Sequence, residues 1–217
     1  MTYIVPEKVY YIHIPKSGGT SEKYKLKEMY GDDLIEVPTG KHSPYDKQYA
    51  DYDCIYTHVR NPHTRLLSLY LFCHELDFMP KKFISKERDE FLSSEHRWKI
   101  HSNATRYMEE QTQFDKVMLH KLKQLHCNIS VENYVKWLST VSKANHMMDE
   151  HFEYRAYLQQ HLWLSDNVHV KKIEDEQGEK LNQTSRMPEH NDDEYIEAGR
   201  STIQQYYSED LRRFEYE

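Results

Sequence analysis

Val9–Ser21 reads VYYIHIPKSGGTS. Val9–Ile14 is apolar, aromatic and β-branched except at His13, and Pro15 stops the run, so a buried strand is predicted there. Lys16–Ser21 is a glycine turn. It leads into Glu22–Tyr30, rich in Glu, Lys and Leu, with Gly31 placed to end a helix. The unit is strand, glycine turn, helix. Such a turn suits an anion, because glycines let backbone N–H groups approach its oxygens and the helix dipole favours negative charge. Lys16, Ser17, Gly18, Gly19, Thr20 and Ser21 are therefore the expected anion-binding residues. Lys16 supplies the cation, and Thr20 and Ser21 add hydroxyl donors.

Asp53–Val59 (DCIYTHV) predicts a second strand, closed by Arg60, Asn61 and Pro62. His63–Glu75 has helical spacing, with Leu66, Leu67, Tyr70 and Leu71 on one face. Arg60 thus falls at a strand end, where open α/β sheets place ligand groups. Arg60 and Ser68, two turns into the helix, can converge on one dianion, since the arginine fork donates two hydrogen bonds at once. The lysine stands before the glycines, unlike the Walker A order. An acid that would hold Mg²⁺ at this strand end in a metal-dependent NTPase is replaced by arginine. The first feature marks a loop that is not a standard ATP loop; the second points to a nucleotide with an extra phosphate and to metal-free chemistry.

Residues 31–50 read mainly as loop. Thr105–Leu125 and Val131–Val141 read as helices, Asn167–Ile173 (NVHVKKI) as a third strand, and Glu174–Leu181 and Asp193–Tyr207 as the last helices. Strands alternating with helices predict an α/β fold with a P-loop-NTPase-like parallel sheet flanked by helices. One domain over 1–217 is expected, with a charged, exposed insertion or lid at about 80–100.

A net charge of −7 over 217 residues disfavours nonspecific nucleic-acid binding, which needs a basic face. Cys54, Cys73 and Cys127 have no CxxC spacing, against a disulfide framework or zinc site, and Cys54 is expected as a buried strand thiol. No stretch approaches the ~18 apolar residues of a membrane helix, and no apolar signal region precedes the first motif. The expectation is a soluble protein with no stable membrane insertion, cytoplasmic if the chain is whole, and in the Golgi lumen only if an anchor or signal has been removed.

IPKSGGTS (Ile14–Ser21) followed by VRNPHTRLLSLY (Val59–Tyr70) resembles the paired signature of sulfotransferases that use 3′-phosphoadenosine 5′-phosphosulfate (PAPS). The first segment is similar to their 5′-phosphosulfate loop and the second to their 3′-phosphate site. PKxGGTS with RNPxxRxxSxY is most similar to the carbohydrate branch, including heparan sulfate 2-O- and chondroitin 4-O-sulfotransferases. GKHSPY, DNVHVKKIED (Asp166–Asp175) and YYSEDLRRFEY resemble that branch more loosely. The resemblance implies PAPS as co-substrate, no metal, and a saccharide or other hydroxyl acceptor. It implies Lys16 on the bridging oxygen, His42 of GKHSPY as general base, and His151 of HFEY near the acceptor. Glu174 and Asp175, at the end of the third strand, can touch substrate or cap a helix, and His151 and Glu174 are the next residues to test as base. A P-loop nucleotide kinase or NTPase, a noncatalytic nucleotide-binding module, and a tyrosine or small-molecule acceptor remain alternatives.

Overall fold

The computed structural model describes residues 2–37, 44–78, 125, 129–147, 157–176 and 191–216. The chain forms two compact units, one from 1–65, 155–185 and 203–217 and the other from 66–154 and 186–202.

The first unit is built on a five-stranded sheet. Its strands are β1 (Tyr3–Val5), β2 (Val9–Ile12), β3 (Ile35–Glu36), β4 (Cys54–Val59) and β5 (His169–Lys172), in spatial order β3-β1-β2-β4-β5. β2 pairs in parallel with β4, placing Tyr10 opposite Ile55, and β4 in parallel with β5, placing Val59 opposite Lys172. These three strands are the ones the sequence pattern predicts. The expected parallel sheet is nevertheless corrected to a mixed open one, because β1 is antiparallel to both β2 and β3. β1 is three residues long and β3 two, too short for an alternating pattern to register. A tight link joins β1 to β2, with Glu7 at φ 62° and Lys8 N–H donating to the Val5 carbonyl at 3.0 Å.

The central strands are covered on both faces, and their alternation sorts the core. Tyr10, Ile12, Ile14, Ile55 and Val59 join Trp163, Val168 and Phe214 on one face. Val9, Tyr11 and Tyr56 join Tyr3, Val5 and Leu26 on the other. Leu26 belongs to α1 (Gly19–Tyr30), which ends where Gly31, at φ 54°, donates its N–H to the Lys27 carbonyl. Cys54, expected to be buried, is exposed because it is the first residue of β4, at the open end of the strand. The expected helix from Glu174 begins instead as a single 3-10 turn over Ile173–Asp175; residues 177–190 lie outside the described ones. The proposed insertion at 80–100 also lies outside them.

The second unit contains most of α2 (Pro62–Phe78), α3 (Val131–Met147) and the first turns of α4 (Asp192–Tyr206). Its core is aromatic. Tyr70 lies with its ring centroid 5.3 Å from those of Tyr134 and Trp137, and Tyr134 lies 5.6 Å from Tyr195. Gly199 leaves room for this packing, since a Cβ there would come within 3.0 Å of Leu138 and Tyr134. Ser130 caps α3 by accepting the Asn133 N–H at 3.2 Å. No helix among the described residues is long and apolar enough to cross a membrane.

In the first unit α5 (Ser208–Arg213) fixes a short 3-10 helix over Gln160–Trp163. Asp210, fully buried, accepts the backbone N–H of Gln160 at 2.6 Å and of His161 at 2.9 Å, and pairs with His161 Nδ1 at 2.8 Å. Removing the carboxylate strands buried donors. Asp210→Ala should therefore lose about 3 kcal/mol in urea denaturation. A loss near zero would show that this cap does not hold the segment.

Candidate functional site

β2 runs out through Ile14 and Pro15 into the glycine turn. Ser17 N–H donates to the Ile14 carbonyl at 3.3 Å, and Lys16 and Gly18 both take left-handed backbone conformations, at φ 66° and 81°. Gly18 is the N-cap of α1, and Glu22 N–H returns to its carbonyl at 3.2 Å. The first N–H groups of α1, from Gly19 to Ser21, therefore stand at the mouth of the turn, as helix geometry requires. Internal structure accounts for both glycines, Gly18 through its left-handed φ and both through the lack of room for a Cβ. A Cβ at Gly18 would meet Ile173 at 2.6 Å, and one at Gly19 would meet the His13 ring at 2.0 Å. Thr20 is exposed and Ser21 half-buried, but Ser17 is fully buried, so its hydroxyl serves the protein interior.

RNP builds the start of α2. Arg60 follows the last residue of β4. Asn61 is the N-cap, its side-chain oxygen accepting the His63 N–H at 2.9 Å, and Pro62 takes the first helical position, where no N–H is needed. Glu174 accepts the Asn61 N–H at 2.8 Å and the Tyr216 hydroxyl at 2.8 Å. Glu174 thereby ties the residue that caps α2 to the segment after β5.

Arg60 and the glycine turn come together. Arg60 Nε donates to Thr64 Oγ1 at 3.0 Å and Nη1 to the Lys16 carbonyl at 3.4 Å. Arg65, which helix spacing alone would leave on the surface, is completely buried. Its Nε donates to the Pro15 carbonyl at 3.1 Å and its Nη1 to the Leu158 carbonyl at 2.9 Å. Burial pulls its pKa down, and the Asp210 carboxylate works against that shift. Lys16, Ser17, Gly18, Gly19, Thr20, Ser21 and Arg60 all belong to the first unit, whereas Ser68, half-buried on α2, belongs to the second. His42 and His151 lie outside the described residues.

Two groups escape sequence reasoning. Gln160 reaches both Ser17 and Arg60, from 143 and 100 residues away in sequence. A polar cluster also sits beneath α1. Glu22, the fourth residue of the helix, is buried and accepts the Tyr56 hydroxyl at 2.5 Å. His58, also buried, donates to Glu176 at 2.7 Å, and Lys25 Nζ reaches Glu176 at 2.6 Å and Glu22 at 3.7 Å. The ligand-type atoms of Glu22, His58 and Glu176 lie within 4.8 Å of one another. Lys25 already brings a positive charge to both carboxylates, so the group reads as an ion network that fastens α1 to the sheet. It explains why so charged a helix packs there with Leu26 as its buried aliphatic contact.

Burial raises the pKa of Glu176, but the hydrogen bonds from Lys25 and His58 outweigh it and hold the carboxyl below its usual range. The pKa of Lys25 moves up, chiefly through its bond to Glu176. A depressed carboxyl adds stability above its unfolded pKa and loses it as pH falls through the folded value. Urea denaturation at pH 7 and at about pH 3.5, spanning the ordinary Glu range, should show a smaller acid loss for Glu176→Gln than for the parent chain. Equal losses would remove this network from acid stability. No protein-family model, curated protein or solved structure matches this chain.

Proposed function

We propose that this chain is a PAPS-dependent O-sulfotransferase that moves the sulfuryl group onto a hydroxyl, with a saccharide as acceptor. One observation carries the reading. The guanidinium of Arg60, at the end of β4, reaches the carbonyl of Lys16 in the glycine turn, so a fixed cation and a helix N-terminus share the C-terminal end of two parallel strands. A nucleotide with a 5′-phosphosulfate and a 3′-phosphate presents two anionic ends to such a pair. The two residues that follow β4 are Arg60 and Asn61, so this strand itself supplies no carboxylate to a phosphate-bound Mg²⁺. The saccharide acceptor rests on the resemblance of the two motifs to the carbohydrate branch.

In the proposed reaction the acceptor oxygen attacks sulfur in line. The new S–O bond forms as the bond to the bridging oxygen breaks, and adenosine 3′,5′-bisphosphate leaves with the electron pair. The N–H groups of Gly19–Ser21 and the Lys16 ammonium face the charge that builds on the leaving oxygens, in the manner of phosphoryl transfer. The hydroxyl proton goes to a base. His42 takes that role in this reading, because an ordinary imidazole titrates near neutrality.

A transfer assay with ³⁵S-labelled PAPS against a panel of glycans tests the reaction. Label should move to a saccharide in EDTA; transfer to no glycan but to a tyrosine peptide would replace the acceptor class, and no transfer at all would end the reading. Arg60→Ala should weaken adenosine 3′,5′-bisphosphate binding by about 10- to 100-fold, the worth of a charge-assisted hydrogen bond. Lys16→Ala should lower kcat more than donor affinity, because its charge matters most as the leaving oxygen gains charge. His42→Ala should cost about 10²–10⁴ in kcat with donor affinity unchanged. A His42→Ala enzyme with near-normal turnover would assign the proton to another group.

A further inference from the structure

We infer that Gln160 is a positioning residue that locks the glycine turn and Arg60 into one anion-binding unit. Its carboxamide is fully buried and wholly committed to these two partners. The oxygen accepts the Arg60 N–H at 2.9 Å and the Ser17 hydroxyl at 3.2 Å, while the nitrogen donates to the Arg60 carbonyl at 2.7 Å. The orientation of the amide is forced, since an N–H and an O–H need an acceptor and a carbonyl needs a donor.

The two bonds to Arg60 reproduce what a neighbouring strand would supply. The paired ladder of β4 ends at Thr57 on the β2 side and at Val59 on the β5 side. Beyond these ladders, the Gln160 carboxamide meets both the N–H and the C=O of Arg60, as a neighbouring peptide would. Its third bond ties the same point to Ser17, on the turn that leaves β2. The register between turn and arginine is thus set by one rigid group. Asp210 in turn holds Gln160 through its backbone N–H. Glutamate in place of Gln160 would keep the acceptors and set a carboxylate oxygen against the Arg60 carbonyl. Asparagine would be one methylene too short to serve both partners.

Two measurements separate positioning from mere stability. The first is calorimetric titration with adenosine 3′,5′-bisphosphate in EDTA, which rests on the sulfotransferase reading. The second is hydrogen exchange at the Ser17 and Arg60 amides, which does not. Gln160→Ala, Gln160→Glu and the parent are compared with Val5→Ala, a core truncation in β1 that is also destabilised but touches neither partner. Both Gln160 variants should bind the nucleotide at least about tenfold more weakly, ~1.4 kcal/mol. They should exchange the Arg60 amide at least about tenfold faster. Val5→Ala should keep parent affinity and parent exchange at Arg60. If Gln160→Ala binds within about twofold of the parent, or exchanges Arg60 no faster than Val5→Ala does, the inference is overturned. If the parent itself binds no nucleotide, the sulfotransferase reading fails and the exchange result alone decides for or against Gln160.

Discussion

Where β2 leaves the sheet, the carbonyls of Pro15 and Lys16 and the buried hydroxyl of Ser17 lose any strand to bond with. An unsatisfied polar group in that position costs about 1–3 kcal/mol. Donors and acceptors from three other places meet the demand: Arg65 on α2 for Pro15, Arg60 after β4 for Lys16, and Gln160 for Ser17. Ser17 N–H is satisfied locally, by Ile14. The turn keeps its shape because these three side chains reach back to it. An anion site placed there has its donors fixed before any ligand arrives, which is what electrostatic preorganisation requires.

The same economy explains α1. Under the proposed function the N-terminus of α1 faces an anion and must be held firmly, yet the helix is rich in Glu and Lys. The sheet meets it with polar groups, Tyr56 and His58 from β4, and the chain after β5 adds Glu176. Such a network specifies position through geometry and stabilises only when every member is bonded. Lys25, half-exposed, closes it on the solvent side. Glu22 lies three residues beyond Gly19, so the buried anchor and the mouth of the turn belong to the same first turns of helix.

What could be read from the sequence followed local chemistry. β2 and β4 announce themselves by apolar runs, and α1 by glycine at both ends. α2 does so through Asn61 as cap and Pro62 at the first helical position, and the basic residues of both motifs fall where the strands end. What could not be read has long-range causes. β1 and β3 are too short to carry a period, so a mixed sheet looks parallel. Arg65 and Gln160 are polar residues whose burial depends on partners remote in sequence, and nothing local separates them from surface residues. Cys54 shows the reverse error: an apolar run suggests burial, but strand ends are open.

In the proposed function the glycine turn and Arg60 together receive a nucleotide carrying both a 5′- and a 3′-phosphate group, without a metal ion. The most direct measurement is a pair of calorimetric titrations of the full chain, one with adenosine 3′,5′-bisphosphate in EDTA and one with ATP and Mg²⁺. Saturable binding of the bisphosphate, tighter than that of MgATP, is the predicted result. Binding of ATP that requires Mg²⁺, with none of the bisphosphate, would contradict the account and move the chain to nucleotide-kinase chemistry.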